Sequence, residues 1–160
     1  MKKTLIIGYG NPDREDDGVA WHILTFLADR LGRPDPYNPE TGFEPDKQNP
    51  TLWFMLQLTP EIAETIAEYE KVCFIDAHTG SVPNDLNIEK VSSEFQRSPF
   101  THHMTPAMCL TFVENLYNRV PEAILVSVRG YTFQFSHDLS PKTRELAQQA
   151  AEYIFRWLEA

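Results

Sequence analysis

Two carboxylates and a pair of histidines are the residues of this chain that could do chemistry. Asp17 follows the first apolar run, Asp76 closes another, and His102 and His103 precede a Thr-Pro pair. Carboxylates and imidazoles together form the oxygen and nitrogen ligand sets of borderline metals such as zinc and nickel. Each residue alone also has a plain structural explanation, because acids cap helices and loops and an exposed loop histidine usually has no function.

The surrounding sequence predicts that these positions share one edge of a parallel sheet. Thr4–Gly10 and Val72–Ala77 are short apolar runs typical of buried parallel strands. Asp17 lies just past the first run, and Asp76 lies at the end of the other. Ligands of open parallel sheets bind beyond the carboxyl ends of the strands, so we expect Asp17, Asp76 and His103 to converge there. Three other histidines rank below His103 as candidates: His22, His78 and His137.

The predicted elements alternate between strands and helices. Apolar runs predict five strands: Thr4–Gly10, Leu52–Leu58, Val72–Ala77, Leu86–Val91 at an edge, and Ala123–Val128. Helical spacing and Ser/Thr-Pro caps predict helices that begin near Asp16–Gly18, Thr59-Pro60, Thr105-Pro106 and Ser140-Pro141. This order predicts a three-layer α/β fold, in which a mostly parallel, twisted sheet of about five strands carries helices on both faces.

The length and the proline distribution set the expected domain organisation. A chain of 160 residues with 42% hydrophobic residues fits one α/β domain over residues 1–160. A Pro-rich insertion at about residues 32–50 holds five of the 12 prolines: Pro34, Pro36, Pro39, Pro45 and Pro50. Loops this long are uncommon in compact domains. We interpret the insertion as a floppy surface segment, with a lid or docking loop as the alternative.

Charge and cysteine content exclude several classes of partner. The net charge of −9 disfavours binding to nucleic acid and to anionic lipid, and makes a basic protein tail or a cation the more natural partner. No apolar stretch approaches the roughly 20 residues that span a membrane. Cys73 and Cys109 form no C-x-x-C pair, so we expect both to be reduced core residues of a cytoplasmic protein.

The glycine-rich turn after the first strand does not fit a dinucleotide site. Its third glycine position is Asp13, and three more acids follow: Glu15, Asp16 and Asp17. Four carboxylates would repel a pyrophosphate, which needs backbone N–H groups and a positive field. We therefore expect the loop to meet something positive. Gly8 and Gly10 are explained by tight turning and close backbone approach.

The same residues resemble the motifs of the hydrogenase maturation endopeptidases. The stretch from Leu5 to Val19, which contains Gly8-Tyr9-Gly10-Asn11-Pro12 and Asp16-Asp17-Gly18, is similar to the opening signature of that family. Phe74-Ile75-Asp76-Ala77, with Gly80 following, resembles its second block. His103-Met104-Thr105-Pro106 resembles its third. The likeness covers nearly the whole chain outside the Pro-rich insertion.

This resemblance implies an endopeptidase that removes the C-terminal extension of a nickel–iron hydrogenase large-subunit precursor after nickel insertion. Three family residues contact the nickel, and they fall here on Asp17, Asp76 and His103, with His102 as the fallback. The family acid at the first position is often Glu, which is one methylene longer. Some members carry the histidine after the Ser/Thr-Pro pair, where this chain has Ala107, so here it comes from the variant arrangement before that pair.

The resemblance also shapes the expected mechanism. The chain shows no ready nucleophile, so attack by water is the default, with Asp16 or Asp17 as general base and Asp76 as the third catalytic acid. We class the expected enzyme as an aspartyl protease. The metal is expected to be the nickel of the substrate, used for recognition, with zinc or cadmium able to substitute in vitro. Three rival interpretations stay open: a non-catalytic metal-binding or chaperone-like module that docks on a metalloenzyme, a small-molecule enzyme, and acids that only cap helices.

Overall fold

A five-stranded sheet forms the middle layer of the computed structural model, which describes residues 2–37, 42–93 and 104–160. The strands are β1 (Thr4–Tyr9), β2 (Thr51–Met55), β3 (Lys71–His78), β4 (Leu86–Val91) and β5 (Glu122–Arg129). The helices are α1 (Val19–Arg30), α2 (Ile62–Ile66), α3 (Pro106–Tyr117) and α4 (Pro141–Glu159). The strand order is β2-β1-β3-β5-β4; the first four strands are parallel, and β4 pairs antiparallel with β5.

Two hydrophobic cores lie on the two faces of the sheet. Successive side chains of a strand point to opposite faces, so Ile6 packs with α1 and α4, whereas Leu5 and Ile7 pack with α2 and α3. Gly8 lets α1 approach β1 closely, because a Cβ there would lie 2.9 Å from Leu24 Cδ1 and 3.0 Å from Ala20 Cβ. The predicted fold class is confirmed: a mostly parallel sheet of five strands between helical layers.

The Thr-Pro pairs at Thr59 and Thr105 behave differently from one another. Thr105 caps α3 as predicted, with its Oγ1 accepting a hydrogen bond from Met108 N at 3.2 Å. Thr59 caps nothing with its side chain; it lies in a turn in which Ile62 N donates to its carbonyl oxygen, and α2 begins only at Ile62. The helix α2 ends at Ile66, and the chain enters β3 at Lys71, whose N–H donates to Lys3 O.

Two aromatic residues in the described parts of the Pro-rich insertion, residues 32–37 and 42–50, contact the sheet. The rings of Tyr37 and Phe43 stack with their centroids 5.2 Å apart. The indole N–H of Trp53, in β2, donates to the carbonyl oxygen of Phe43 at 2.9 Å. These contacts place the rings of Tyr37 and Phe43 beside β2, and the floppy character of the insertion stays a prediction.

The longest helix, α4, has one buried face and one polar face. Its buried positions recur at helical spacing: Thr143, Leu146, Ala147, Ala150, Ala151, Ile154 and Leu158. Across residues 2–37, 42–93 and 104–160, every helix is too short or too polar to cross a membrane.

Candidate functional site

A cleft of about 930 Å³ opens at the carboxyl edge of the parallel strands. Its walls come from the end of β1, the segment after β2, the end of β3, the last residues of β4 and the start of α3. Tyr9, Asp17 and Asp76 all line it, together with Thr105. This is the edge at which open parallel sheets bind their ligands, and it is the edge predicted from the strand pattern.

The loop between β1 and α1 brings Asp17 into the cleft. Gly10 has a φ of 144°, and a Cβ at this position would lie 2.2 Å from the carbonyl oxygen of Asp17, so only glycine fits. The loop then folds back far enough for Asn11 N to donate to Asp17 Oδ2 at 2.9 Å. One carboxylate oxygen of Asp17 is therefore fixed by the backbone, while the side chain faces the cleft.

Asp76 enters the cleft from the neighbouring strand. Gly8 of β1 pairs with Ile75 of β3, so Asp76 comes level with Tyr9 at the next position. Burial raises the pKa of Asp76 to about 6, and the negative charge of Asp17 adds to this rise, although hydrogen bonds from Ala77 N and the Tyr9 hydroxyl oppose it. The charge of Asp17 disfavours the ionisation of Asp76, so a cation between the two side chains would stabilise the ionised form of Asp76.

The third predicted metal ligand is not tested by the structure. His103 and its fallback His102 lie outside the described residues. Among residues 2–37, 42–93 and 104–160, no three His, Cys, Asp or Glu side chains lie close enough to hold a metal ion. The structure thus brings Asp17 and Asp76 to one cleft, and the histidine ligand stays a prediction.

Solved structures give the comparison that identifies the fold, although no family model and no curated protein matches the chain. The [NiFe] hydrogenase maturation protease HycI from Thermococcus kodakarensis superposes with a TM-score of 0.68 at 16% identity, over 99% of this chain and 94% of that one. The hydrogenase maturating endopeptidase HybD from E. coli gives 0.65 at 16% identity, over 98% and 92%. A hydrogenase 2 maturation peptidase from Thaumarchaeota archaeon SCGC_AB-539-E09 gives 0.62 at 19% identity, over 99% of each chain.

The chain has the fold of the hydrogenase maturation proteases. This finding confirms, at the level of the fold, the resemblance that the sequence motifs suggested.

The expectation of an aspartyl protease is wrong. The structures that share this fold are hydrogenase maturation proteases, which are not aspartyl proteases in the usual sense. In aspartyl proteases two adjacent carboxylates share one proton at the reacting centre. The sequence offered Asp16 and Asp17 as adjacent acids, but the maturation-protease fold separates their side chains.

Asp16 is fully buried at the junction of two loops and does not line the cleft. Its Oδ2 accepts hydrogen bonds from Tyr131 N at 2.8 Å and Ser140 Oγ at 2.6 Å, and its Oδ1 accepts one from Ser140 N at 2.8 Å. Thr143 Oγ1 lies 2.9 Å from Oδ2 as well. The structure therefore places Asp16 in a structural network instead of beside Asp17 in the cleft.

The reason for the separation lies in the turn that carries both acids. Glu15–Gly18 is a 3₁₀ turn, in which successive side chains point about 120° apart. Burial raises the pKa of Asp16, but the hydrogen bonds from Ser140, Tyr131 and Thr132 outweigh this and hold the pKa below its usual range. These hydrogen bonds favour the ionised form of Asp16, and both of its oxygens accept from the protein.

The same junction fixes Glu15 in a left-handed conformation. Glu15 has a φ of 43°, which costs a non-glycine residue about 1 kcal/mol. Its backbone N–H donates to Ser136 O at 2.8 Å, and its carboxylate accepts from Gln134 N at 2.8 Å and Thr132 Oγ1 at 2.6 Å. The loop between β5 and α4, residues 130–140, therefore holds the turn that presents Asp17. No local pattern in the sequence indicates these contacts.

The three lower-ranked histidines all lie outside the cleft lining. His78 ends β3 and orders the following loop, with its Nδ1 accepting from Gly80 N at 3.0 Å. His137 Nε2 lies 2.6 Å from Asp13 Oδ1, and His22 Nε2 donates to His137 O at 2.8 Å. Each of these side chains fixes a loop of the fold.

Proposed function

We propose that this chain is an endopeptidase of hydrogenase maturation, which removes the C-terminal extension of a nickel–iron hydrogenase large-subunit precursor after nickel insertion. The observation that carries the proposal is the meeting of Asp17 and Asp76 in one cleft. The fold around that cleft is shared with solved hydrogenase maturation proteases over nearly the whole chain. The partner is a protein substrate, the precursor, whose extended tail can enter an open cleft of this size.

The nickel in this proposal belongs to the precursor. Asp17 and Asp76 supply oxygen ligands, and His103 supplies the nitrogen ligand of the set. Two observations support it. The ionisation of Asp76 is disfavoured by burial and by Asp17, which a dication would reverse. Met104 and Thr105, which directly follow His103 in the chain, line the same cleft. Zinc and cadmium, which accept similar donors, are the expected substitutes in vitro.

The role of the metal is recognition. Nickel held jointly by the precursor and by Asp17 and Asp76 fixes the scissile bond in the cleft, so that a water molecule attacks it in a defined geometry. The water oxygen bonds to the carbonyl carbon, the C–N bond breaks, and the released amine takes up a proton. A precursor without nickel lacks this anchor, so cleavage reports that nickel insertion is complete.

The expected compartment is the cytoplasm. Cys73 and Cys109, the only two cysteines of the sequence, are both free thiols and both buried. Unpaired buried thiols are typical of proteins that function in a reducing compartment.

A processing assay on nickel-loaded and nickel-free precursor tests the proposal. We expect mass spectrometry to show loss of the C-terminal extension from the loaded precursor and an intact nickel-free precursor. A precursor that already lacks the extension is the control for unspecific proteolysis. Equal cleavage of both forms would reject the nickel-guided step. Binding of the loaded precursor without any shortening would favour the non-catalytic, chaperone-like module instead.

A further inference from the structure

Tyr9, the last residue of β1, lies beside Asp76, the residue of β3 that lines the cleft. Tyr9 follows Gly8, which pairs with Ile75, so Tyr9 and Asp76 are lateral neighbours on adjacent parallel strands. Both side chains line the cleft, and the ring of Tyr9 packs against the core formed with α2 and α3. The ring is therefore held by apolar contacts while its hydroxyl reaches a polar site.

The hydroxyl of Tyr9 is close enough to the Asp76 carboxylate to interact with it. A phenol is protonated at neutral pH, so Tyr9 is the donor of this pair and the carboxylate is the acceptor. Asp76 Oδ1 accepts a hydrogen bond from Ala77 N at 2.7 Å, so the carboxylate has one donor from its own strand and one from β1.

We propose that Tyr9 is a positioning residue, which orients the Asp76 carboxylate toward the cation that the cleft receives. This inference rests on the proposed function, because it assigns Asp76 a ligand role. Two donors from different strands restrict rotation of the carboxylate and leave its remaining lone pairs for a ligand. Groups that orient metal ligands in this way typically change metal affinity or activity about 10- to 100-fold when they are removed.

The variant Tyr9→Phe removes the hydroxyl and keeps the ring, and the chain offers a matched control. Tyr69 is also buried, and its hydroxyl donates to Thr51 Oγ1 at 2.8 Å in a part of the protein that does not line the cleft. Tyr69→Phe therefore removes a buried phenol hydroxyl without touching Asp76. We expect kcat/KM for the nickel-loaded precursor to fall about tenfold in Tyr9→Phe and to stay at the wild-type value in Tyr69→Phe.

A second measurement reports on Asp76 without any substrate or metal. The ¹³Cγ resonance of Asp76 in the free protein, assigned by its loss in Asp76→Asn, should shift in Tyr9→Phe and stay in place in Tyr69→Phe. Either an unmoved resonance or an unchanged kcat/KM in folded Tyr9→Phe overturns the positioning role. If the wild-type protein cleaves no precursor, the proposed function fails, and the resonance alone still decides whether Tyr9 holds Asp76.

Discussion

Asp16 and Asp76 lie at the same end of the sheet, but their surroundings shift their pKa values in opposite directions. Asp16 lies at the junction with the loop of residues 130–140, where backbone and hydroxyl groups donate to both of its oxygens. Asp76 lies in the cleft, where the described donors are Ala77 N and the Tyr9 hydroxyl and where Asp17 adds a second negative charge. Burial raises the pKa of both acids, and the hydrogen bonds reverse the sign only for Asp16.

The difference separates a carboxylate that is hydrogen-bonded within the fold from one that lines the cleft and is proposed to bind a cation. Both oxygens of Asp16 accept hydrogen bonds from the protein, and the side chain is buried outside the cleft, so it does not face a cation bound there. Burial disfavours the ionised form of Asp76, and its hydrogen bonds do not fully offset this cost. A cation that binds beside Asp17 would stabilise the ionised carboxylate. The junction therefore stabilises the turn Glu15–Gly18, and this turn holds Asp17 in the lining of the cleft.

The largest expected effect is loss of stability when Asp16 is removed. In Asp16→Ala the N–H groups of Tyr131, Thr132 and Ser140 lose a charged acceptor in a buried site. We expect the free energy of unfolding to fall by at least about 3 kcal/mol, measured by urea denaturation. Asp29→Ala, at an exposed position on α1, is the control. A loss below about 1 kcal/mol would show that the hydrogen bonds of Asp16 contribute little to the stability of the fold.

The next effect is a loss of processing without a loss of stability. In Asp17→Asn the side-chain oxygen can still accept from Asn11 N, so the free energy of unfolding should change by less than about 1 kcal/mol. Loss of a ligand costs more than loss of a group that only orients one, so we expect the processing rate to fall at least about 100-fold. Asp29→Asn serves as the charge-matched control. If folded Asp17→Asn processes the precursor at the wild-type rate, Asp17 is not a functional residue of the cleft.

The smallest expected effect is a pH-dependent gain in stability when Asp76 is replaced by Asn. The folded protein holds the Asp76 proton up to a pKa of about 6, above the ordinary value of 3.8, so ionisation lowers stability as the pH rises from about 4 through 6. Asp76→Asn removes this cost. We expect the variant to be more stable than the wild type at pH 8, by on the order of 1–2 kcal/mol, with a smaller gain at pH 5.

Urea denaturation of wild type and Asp76→Asn at both pH values measures this gain. Nickel or zinc ions added at pH 8 should reduce the difference in free energy of unfolding between Asp76→Asn and the wild type. The ions stabilise only the wild type, because it keeps the carboxylate. An Asp76→Asn variant that is less stable than the wild type at pH 8 would show that the ionised Asp76 carboxylate does not destabilise the folded protein.

Local pattern and topology predicted most of the fold and part of the site. The edge strand β4 has the bounds that its pattern predicted, Leu86–Val91, and Thr105 caps α3. The apolar runs also predicted the edge at which Asp17 and Asp76 meet. These features depend on the period of side-chain burial and on short-range hydrogen bonds, both of which are written in consecutive residues.

The predictions that differed from the structure involve contacts between distant residues. Ser140-Pro141 marks the start of α4 as predicted, but the Ser140 hydroxyl donates to Asp16 and forms no cap hydrogen bond. Asp16 was predicted as the alternative to Asp17 for the general base, because both acids follow the first strand. The described aromatic residues of the Pro-rich insertion pack on β2, which its proline content did not indicate.

The sequence by itself determined the alternation of strands and helices, the sheet edge at which the site lies and the two acids that reach it. Only the tertiary structure decided that Asp16 belongs to a buried junction and that Tyr9 contacts Asp76. The physical reason is that a carboxylate's role depends on the number of donors around it, and those donors come from loops more than 100 residues away in the chain.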